Sequence, residues 1–134
     1  MMKLKRRMAV VLVLLIMVVG CATTANAKAY SGSTCGYLGQ TSYIFSVDKT
    51  VRGYDWAIKY SITTGHRIET MKLINMMCEY ANGSNLDYAD KTAYSTKSLS
   101  YEGAYGTTEI VQAVAHFYII SYNFGNVDEI GYYK

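Results

Sequence analysis

Apolar and polar positions alternate along most of this chain. Thr41, Tyr43, Phe45 and Val47 fall on one face of a pleated segment, with Ser42, Ile44 and Ser46 on the other. Over residues 50–63, Tyr54, Trp56, Ile58, Tyr60 and Ile62 alternate with Asp55, Ala57, Lys59 and Ser61. Period-two alternation of aromatic and β-branched residues predicts half-buried strands, whereas a helix would scatter the same side chains around its circumference. Asp48-Lys49 reads as the hairpin turn between these strands and Thr64-Gly65-His66 as the next turn.

Residues 67–81 fit two patterns. As a strand, Ile68, Thr70, Lys72, Ile74, Met76, Cys78 and Tyr80 share a face. As a helix, Ile68, Met71, Ile74, Cys78 and Ala81 form a stripe. Flanking strands and a short connection favour the strand. Asn82–Asp90 reads as a polar loop opened by the turn signal Asn82-Gly83. Residues 91–101, rich in serine and threonine, suit a sheet-edge strand, and Glu102-Gly103-Ala104-Tyr105-Gly106 a turn. Residues 107–124 are apolar on both faces and rich in β-branched and aromatic side chains, which predicts a central strand. Gly125-Asn126 turns the chain into a short last strand at residues 127–133.

Five to seven strands joined by short turns point to an all-β fold, an antiparallel β-sandwich or open barrel, following an N-terminal signal helix. The chain has no proline, so its sheet edges need protection by charge, bulges or pairing.

The N-terminus follows a different pattern. Lys3, Lys5, Arg6 and Arg7 precede the wholly apolar run Met8–Val19. That run suits a secretory signal and is shorter than the roughly 20 residues of a membrane-spanning helix. The small-x-small sequence Ala25-Asn26-Ala27 predicts cleavage before Lys28. Residues 1–27 are therefore read as a signal peptide and 28–134 as one secreted β domain. Val18-Val19-Gly20-Cys21 also fits a lipobox, in which Cys21 is lipidated and the product stays on the membrane as a lipoprotein.

Removing the signal changes the charge balance. The chain carries +3 overall, but without the four leading cations nine Lys or Arg face ten Asp or Glu, a net charge of about −1. No basic patch remains, which argues against nucleic acid as a partner. Membrane contact is expected only through the signal peptide or a lipid anchor at Cys21. Cys35 and Cys78 are the two cysteines beyond the signal, and in an exported chain they are expected to pair. Such a bridge would contribute about 4 kcal/mol by the chain-entropy model.

Little else suggests chemistry. His66 lies in a predicted turn, and His116 is read as a structural residue of the apolar strand. His66 could be matched with Glu69 or Glu79 as an acid–base pair, but their spacing does not require it. Asn82, Asn85, Asp87 and Asp90 share a loop that lacks the spacing of a calcium-binding hand. No metal site, cofactor or catalytic residue is assigned, and the chain is read as a non-enzyme. Tyrosine is the unusual component, 14 against a single tryptophan. Tyrosine is enriched at binding surfaces because it gives a large amphipathic contact at low entropic cost. Tyr88, Tyr101, Tyr105, Tyr132 and Tyr133, in predicted loops and ends, are the candidate contact residues. Tyr54, Trp56 and Tyr60 read as a core face rather than a binding platform.

The stretch Ser31-Gly32-Ser33-Thr34-Cys35-Gly36-Tyr37-Leu38-Gly39, followed by polar hairpins, resembles the opening of small secreted β-rich proteins of uncharacterised function from Gram-positive anaerobes. In size, export and β content the chain is also similar to lactococcin-type bacteriocins. The first resemblance implies a secreted or cell-surface module that binds a protein or carbohydrate ligand. The second implies a bacteriocin or toxin-like secreted protein. A small hydrolase is the third class considered. Expression of the full gene in a bacterial host should release a product whose intact mass begins at Lys28; a heavier, membrane-bound product beginning at modified Cys21 would replace signal cleavage with lipidation.

Overall fold

The computed structural model describes residues 29–133. The expected signal helix at 1–27, with Cys21, lies outside the described residues. The described residues form β1 (Ala29–Leu38), β2 (Thr41–Arg52), β3 (Asp55–Tyr80), β4 (Asn85–Asp87), β5 (Lys91–Gly106), β6 (Ile110–Ser121) and β7 (Gly125–Tyr133). All pairings are antiparallel, and the single sheet is nearly closed into a barrel. The strand reading of residues 67–81 holds, as do the edge character of β5 and the central place of β6.

The fold turns on the length of β3. Its 26 residues would extend roughly 85 Å if straight, yet a domain of about 100 residues has a radius of gyration of only about 13 Å. The strand therefore bends, and it does so where the sequence predicts a turn. Between the pairs Thr63↔Ser98 and Ile68↔Thr96, residues 64–67 face Lys97 alone. Backbone groups released from the ladder there need other partners. Thr64 Oγ1 donates to the His66 carbonyl at 2.6 Å, His66 N–H donates to Thr41 Oγ1 at 3.0 Å, and the Arg67 guanidinium donates to the Ser95 carbonyl. Thr64-Gly65-His66 is thus a pinned bend inside one strand rather than a turn between two.

The bend divides the sheet into two leaves that share the β3–β5 ribbon. In the first leaf, residues 55–64 of β3 lie between β2 and the second half of β5, with β1 outside β2. In the second, residues 70–80 lie between β6 on one side and β5 and β4 on the other, with β7 outside β6. The leaves close on an apolar core in which Phe45 of β2 stacks on Phe117 of β6, 5.0 Å between ring centroids and 10° between planes. Val47, Ile58, Tyr60, Ile62, Met71 and Leu73 are buried around this pair. Alternation does not persist along β3. Residues 58, 60 and 62 point inward before the bend, and 71 and 73 after it; 76 and 78 do so beyond a second irregularity at Asn75, where φ is 50°. The face expected for residues 68–80 is correct at Ile68 and again at Met76, Cys78 and Tyr80 but not between them, because the inward parity changes between Ile68 and Met71, just past the bend, and changes back at Asn75.

Three expected turns are displaced, Gly125-Asn126 among them, since both residues pair in the ladder opposite Ser121 and Ile120 and the chain turns at 122–124. The β2–β3 hairpin, expected to turn at Asp48-Lys49, turns at Gly53-Tyr54, with Arg52 opposite Asp55; Gly53 supplies the φ of 65° that a two-residue turn requires. Residues 102–106 continue β5 instead of turning, since Glu102, Gly103 and Gly106 pair with Lys59, Ile58 and Trp56. Strand β1 has no apolar alternation and is held by neighbours. A Cβ at Gly32 would lie 1.8 Å from the Tyr132 carbonyl oxygen, so glycine is what lets β1 lean on β7 and nearly close the barrel.

Because β2 runs past Asp48, its alternation carries Lys49 inward. Lys49 is 5% exposed. Its Nζ donates to the Ile110 carbonyl at 3.1 Å and lies 4.6 Å from the Trp56 ring centroid and 4.7 Å from that of Tyr133. Glu109, at 3.9 Å with a half-exposed side chain, adds little. Desolvated cation–π contacts and a buried carbonyl in need of a donor make this lysine a tie between β2, β3, β6 and β7. Lys49→Ala should lose about 3 kcal/mol of stability, lowering the melting temperature by more than about 10 °C. Thermal denaturation followed by circular dichroism measures it, and a shift within about 2 °C would remove the tie.

Candidate interaction surface

The outward faces of the two leaves differ in chemistry. On the first leaf, alternation and register set Ser33, Ser46, Ser61 and Ser100 side by side across β1, β2, β3 and β5. Ser46 and Ser61 are 2.5 Å apart through their hydroxyls. The next row contains Asp48, Lys59 and Glu102. Burial holds the Asp48 carboxyl above its ordinary range, opposed by the hydroxyl of Ser46 and the charge of Lys59. This hydroxyl and charge surface is what a solvent-facing sheet requires.

The second leaf carries a different outer surface. Register places Ile74, His116 and Ile130 in one row across β3, β6 and β7, and Met77, Val114 and Tyr132 in the next. Lys72, Tyr118 and Asp128 form the row on the other side of Ile74. Ile130 is 62% exposed and Tyr132 64%. The His116 and Tyr118 rings are in contact, tilted by 37° with centroids 4.3 Å apart, and the Tyr118 hydroxyl lies 3.2 Å from His116 Nδ1. Both rings are half-buried on the outer side of β6.

The candidate tyrosines separate accordingly. Tyr132 stands on this outer face. Tyr133 points the other way and covers Lys49. Tyr88 and Tyr101, expected to be exposed in a loop and at a strand end, are half-buried against the core. Their ring centroids are 5.2 Å apart, and that of Tyr88 is 6.1 Å from Tyr60. Lys91 Nζ lies 5.0 Å from the Tyr101 ring centroid. The side chain of Tyr105 lies outside the described residues. The Tyr54–Trp56–Tyr60 face divides as a core face would, with Tyr60 buried, Trp56 half-buried and Tyr54, in the turn, 90% exposed. The outer-face residues Ile130, His116 and Met77 were not proposed as contacts from sequence. The signal available was the two-sided apolarity of residues 110–120, which a central strand explains equally well.

The expected Cys35–Cys78 bridge is not formed. Cys78 is a free, buried thiol pointing into the core, 3.5 Å from the Tyr88 hydroxyl. Cys35 pairs with Ile44 on the outer side of the first leaf, so the sheet itself stands between the two sulfurs. His66 is exposed, its ring centroid 5.2 Å from that of Phe124, and no hydrogen bond or ion pair joins it to Glu69 or Glu79 among the described residues. In the loop, Asn82 Oδ1 accepts from Ser84 and Asp90 Oδ1 accepts from Asn75 N–H; Asn85 and Asp87 lie on β4. No group of three or more His, Cys, Asp or Glu residues is arranged to hold a metal among the described residues.

Compared with known protein families, with curated proteins and with solved structures, the chain matches none.

The buried tyrosines make the fold sensitive to alkali. Burial, reinforced by Cys78, lifts Tyr60 and Tyr88 far above the ordinary value of 10.0. Burial and the bond from the Tyr43 hydroxyl to Glu129, 2.9 Å, raise Tyr43 as well. The unfolded chain releases these protons above pH 10 while the folded chain retains them. Stability is therefore whole below that pH and falls as pH rises, by about 1.4 kcal/mol per unit for each tyrosine that stays protonated. Alkaline titration should show exposed tyrosines ionising first and the rest together with cooperative unfolding, read by tyrosinate absorbance and circular dichroism. Tyr60→Phe should move that unfolding to higher pH.

Proposed function

We propose that this protein is a secreted or cell-surface interaction module that meets a protein partner through the outer face of its second leaf. The contrast between the two outer faces carries the proposal. The first leaf shows how this chain builds a face for water, with serine in register across four strands. The second leaf, built on the same ribbon, presents Ile74, Met77, Val114, Ile130 and Tyr132 instead. A contiguous apolar patch rimmed by charge is characteristic of a contact surface. Aliphatic side chains dominate it, which favours a protein partner over a carbohydrate, whose rings stack on flat aromatic platforms. The sequence contribution to secretion is the cationic and apolar N-terminus ending in Ala25-Asn26-Ala27.

A photo-crosslinking amino acid placed at Ile130, in a culture producing the full chain, should give a discrete protein adduct. The same residue at Ser46 on the other leaf should give none. Equal crosslinking at both positions, or none at position 130, would sink the proposal.

A further inference from the structure

We propose that the partner on this face is a second copy of the same chain, docked leaf to leaf about a two-fold axis running along β6. The inference rests on the contact surface proposed above and goes on to identify its occupant. A two-fold axis along a strand keeps each position at its own level and exchanges left for right, so β3 of one copy lies over β7 of the other. Each row then meets its own reverse.

In the charged row, Lys72 faces Asp128 of the second copy and Asp128 faces its Lys72, giving two opposite-charge pairs. Neither residue has an ion-pair partner among the described residues of its own chain. In the next row Ile74 faces Ile130, and in the last Met77 meets Tyr132, a favourable sulfur–aromatic contact. Val114 faces its counterpart across the axis. A two-fold lying between the faces but running across the strands brings no such match, since it would carry Lys72 to the level of the apolar rows.

Self-complementarity of this kind is what an isologous interface demands. The face is three strands wide, so the association is reversible and concentration-dependent, at the small end of specific interfaces.

The test is sedimentation velocity over a concentration series on the protein purified from an expressing bacterial host, in the form the host leaves it. The parent should pass from monomer to dimer as concentration rises. Lys72→Asp and Asp128→Lys alone should each weaken dimerisation by about tenfold or more, since like charges then face one another. The double swap should restore it to within about threefold of the parent. Ile130→Asp should leave a monomer. All four positions are on the surface, and unchanged circular dichroism certifies each fold; Tyr132→Ser provides a second apolar truncation should Ile130→Asp fail to fold. A protein monomeric at every concentration overturns the proposal, and so does a dimer indifferent to both single swaps. If position 130 crosslinks to a different protein while the chain stays monomeric, the interaction surface stands and the second copy is excluded. If neither crosslink nor dimer is found, both fall.

Discussion

A strand of 26 residues cannot lie straight inside a domain of this size, and the rest of the architecture follows from that conflict. Bending β3 brings β2 and β6, which pair with successive parts of it, face to face. Phe45 then reaches Phe117, and one sheet becomes two leaves around a common core. The bend is held by hydroxyls and a guanidinium that take over the ladder bonds its bulge gives up. Thr41, Thr64 and Arg67 therefore do for β3 what a turn sequence does for a hairpin, without ending the strand.

Most of the secondary structure was legible in the sequence because period-two alternation survives wherever a strand stays in register. Residues 41–47 show it, and Thr41, Tyr43, Phe45 and Val47 face inward where the pattern places them; residues 110–120 are apolar on both faces, and the pattern names no inward one. Legibility fails where the backbone changes parity. The parity changes between Ile68 and Met71 and at Asn75 are invisible to a pattern that counts by twos, so the inward face of residues 69–74 was misassigned. Strand β1 could not be found from apolar periodicity, because its place depends on glycine allowing a neighbour's carbonyl to approach. The apparent turn at Asp48-Lys49 rested on two polar residues standing between alternating runs, whereas Lys49 continues the strand with its side chain inward. The anticipated Cys35–Cys78 bridge rested on cysteine count, which says nothing about which side of a sheet each sulfur occupies.

The outer surface was the least readable part. Both leaves have outward positions that alternate correctly, and only assembly of the rows across three or four strands separates the serine-lined face from the apolar one. Of the tyrosines singled out by composition, Tyr88 and Tyr101 sit against the core, Tyr133 caps a buried ammonium, and Tyr132 is displayed. Abundance of an amphipathic residue thus marks several roles at once in this chain: core filler, cation cover and contact residue. Val114, Met77 and Ile130, unremarkable in a strand-by-strand reading, acquire their meaning from register.

The seam between β1 and β7 also bears on the order in which the molecule is built. The first described strand completes the barrel only by resting on the last, with Gly32 against the carbonyl of Tyr132. A chain emerging N-terminus first therefore holds β1 with one flank uncovered until residues 125–133 have followed it. Closure is a late, long-range event of the kind that slows folding, and until then the nascent sheet has an open edge on β1 able to recruit a neighbouring chain. Folding yield is thus tied to how quickly the final strand arrives.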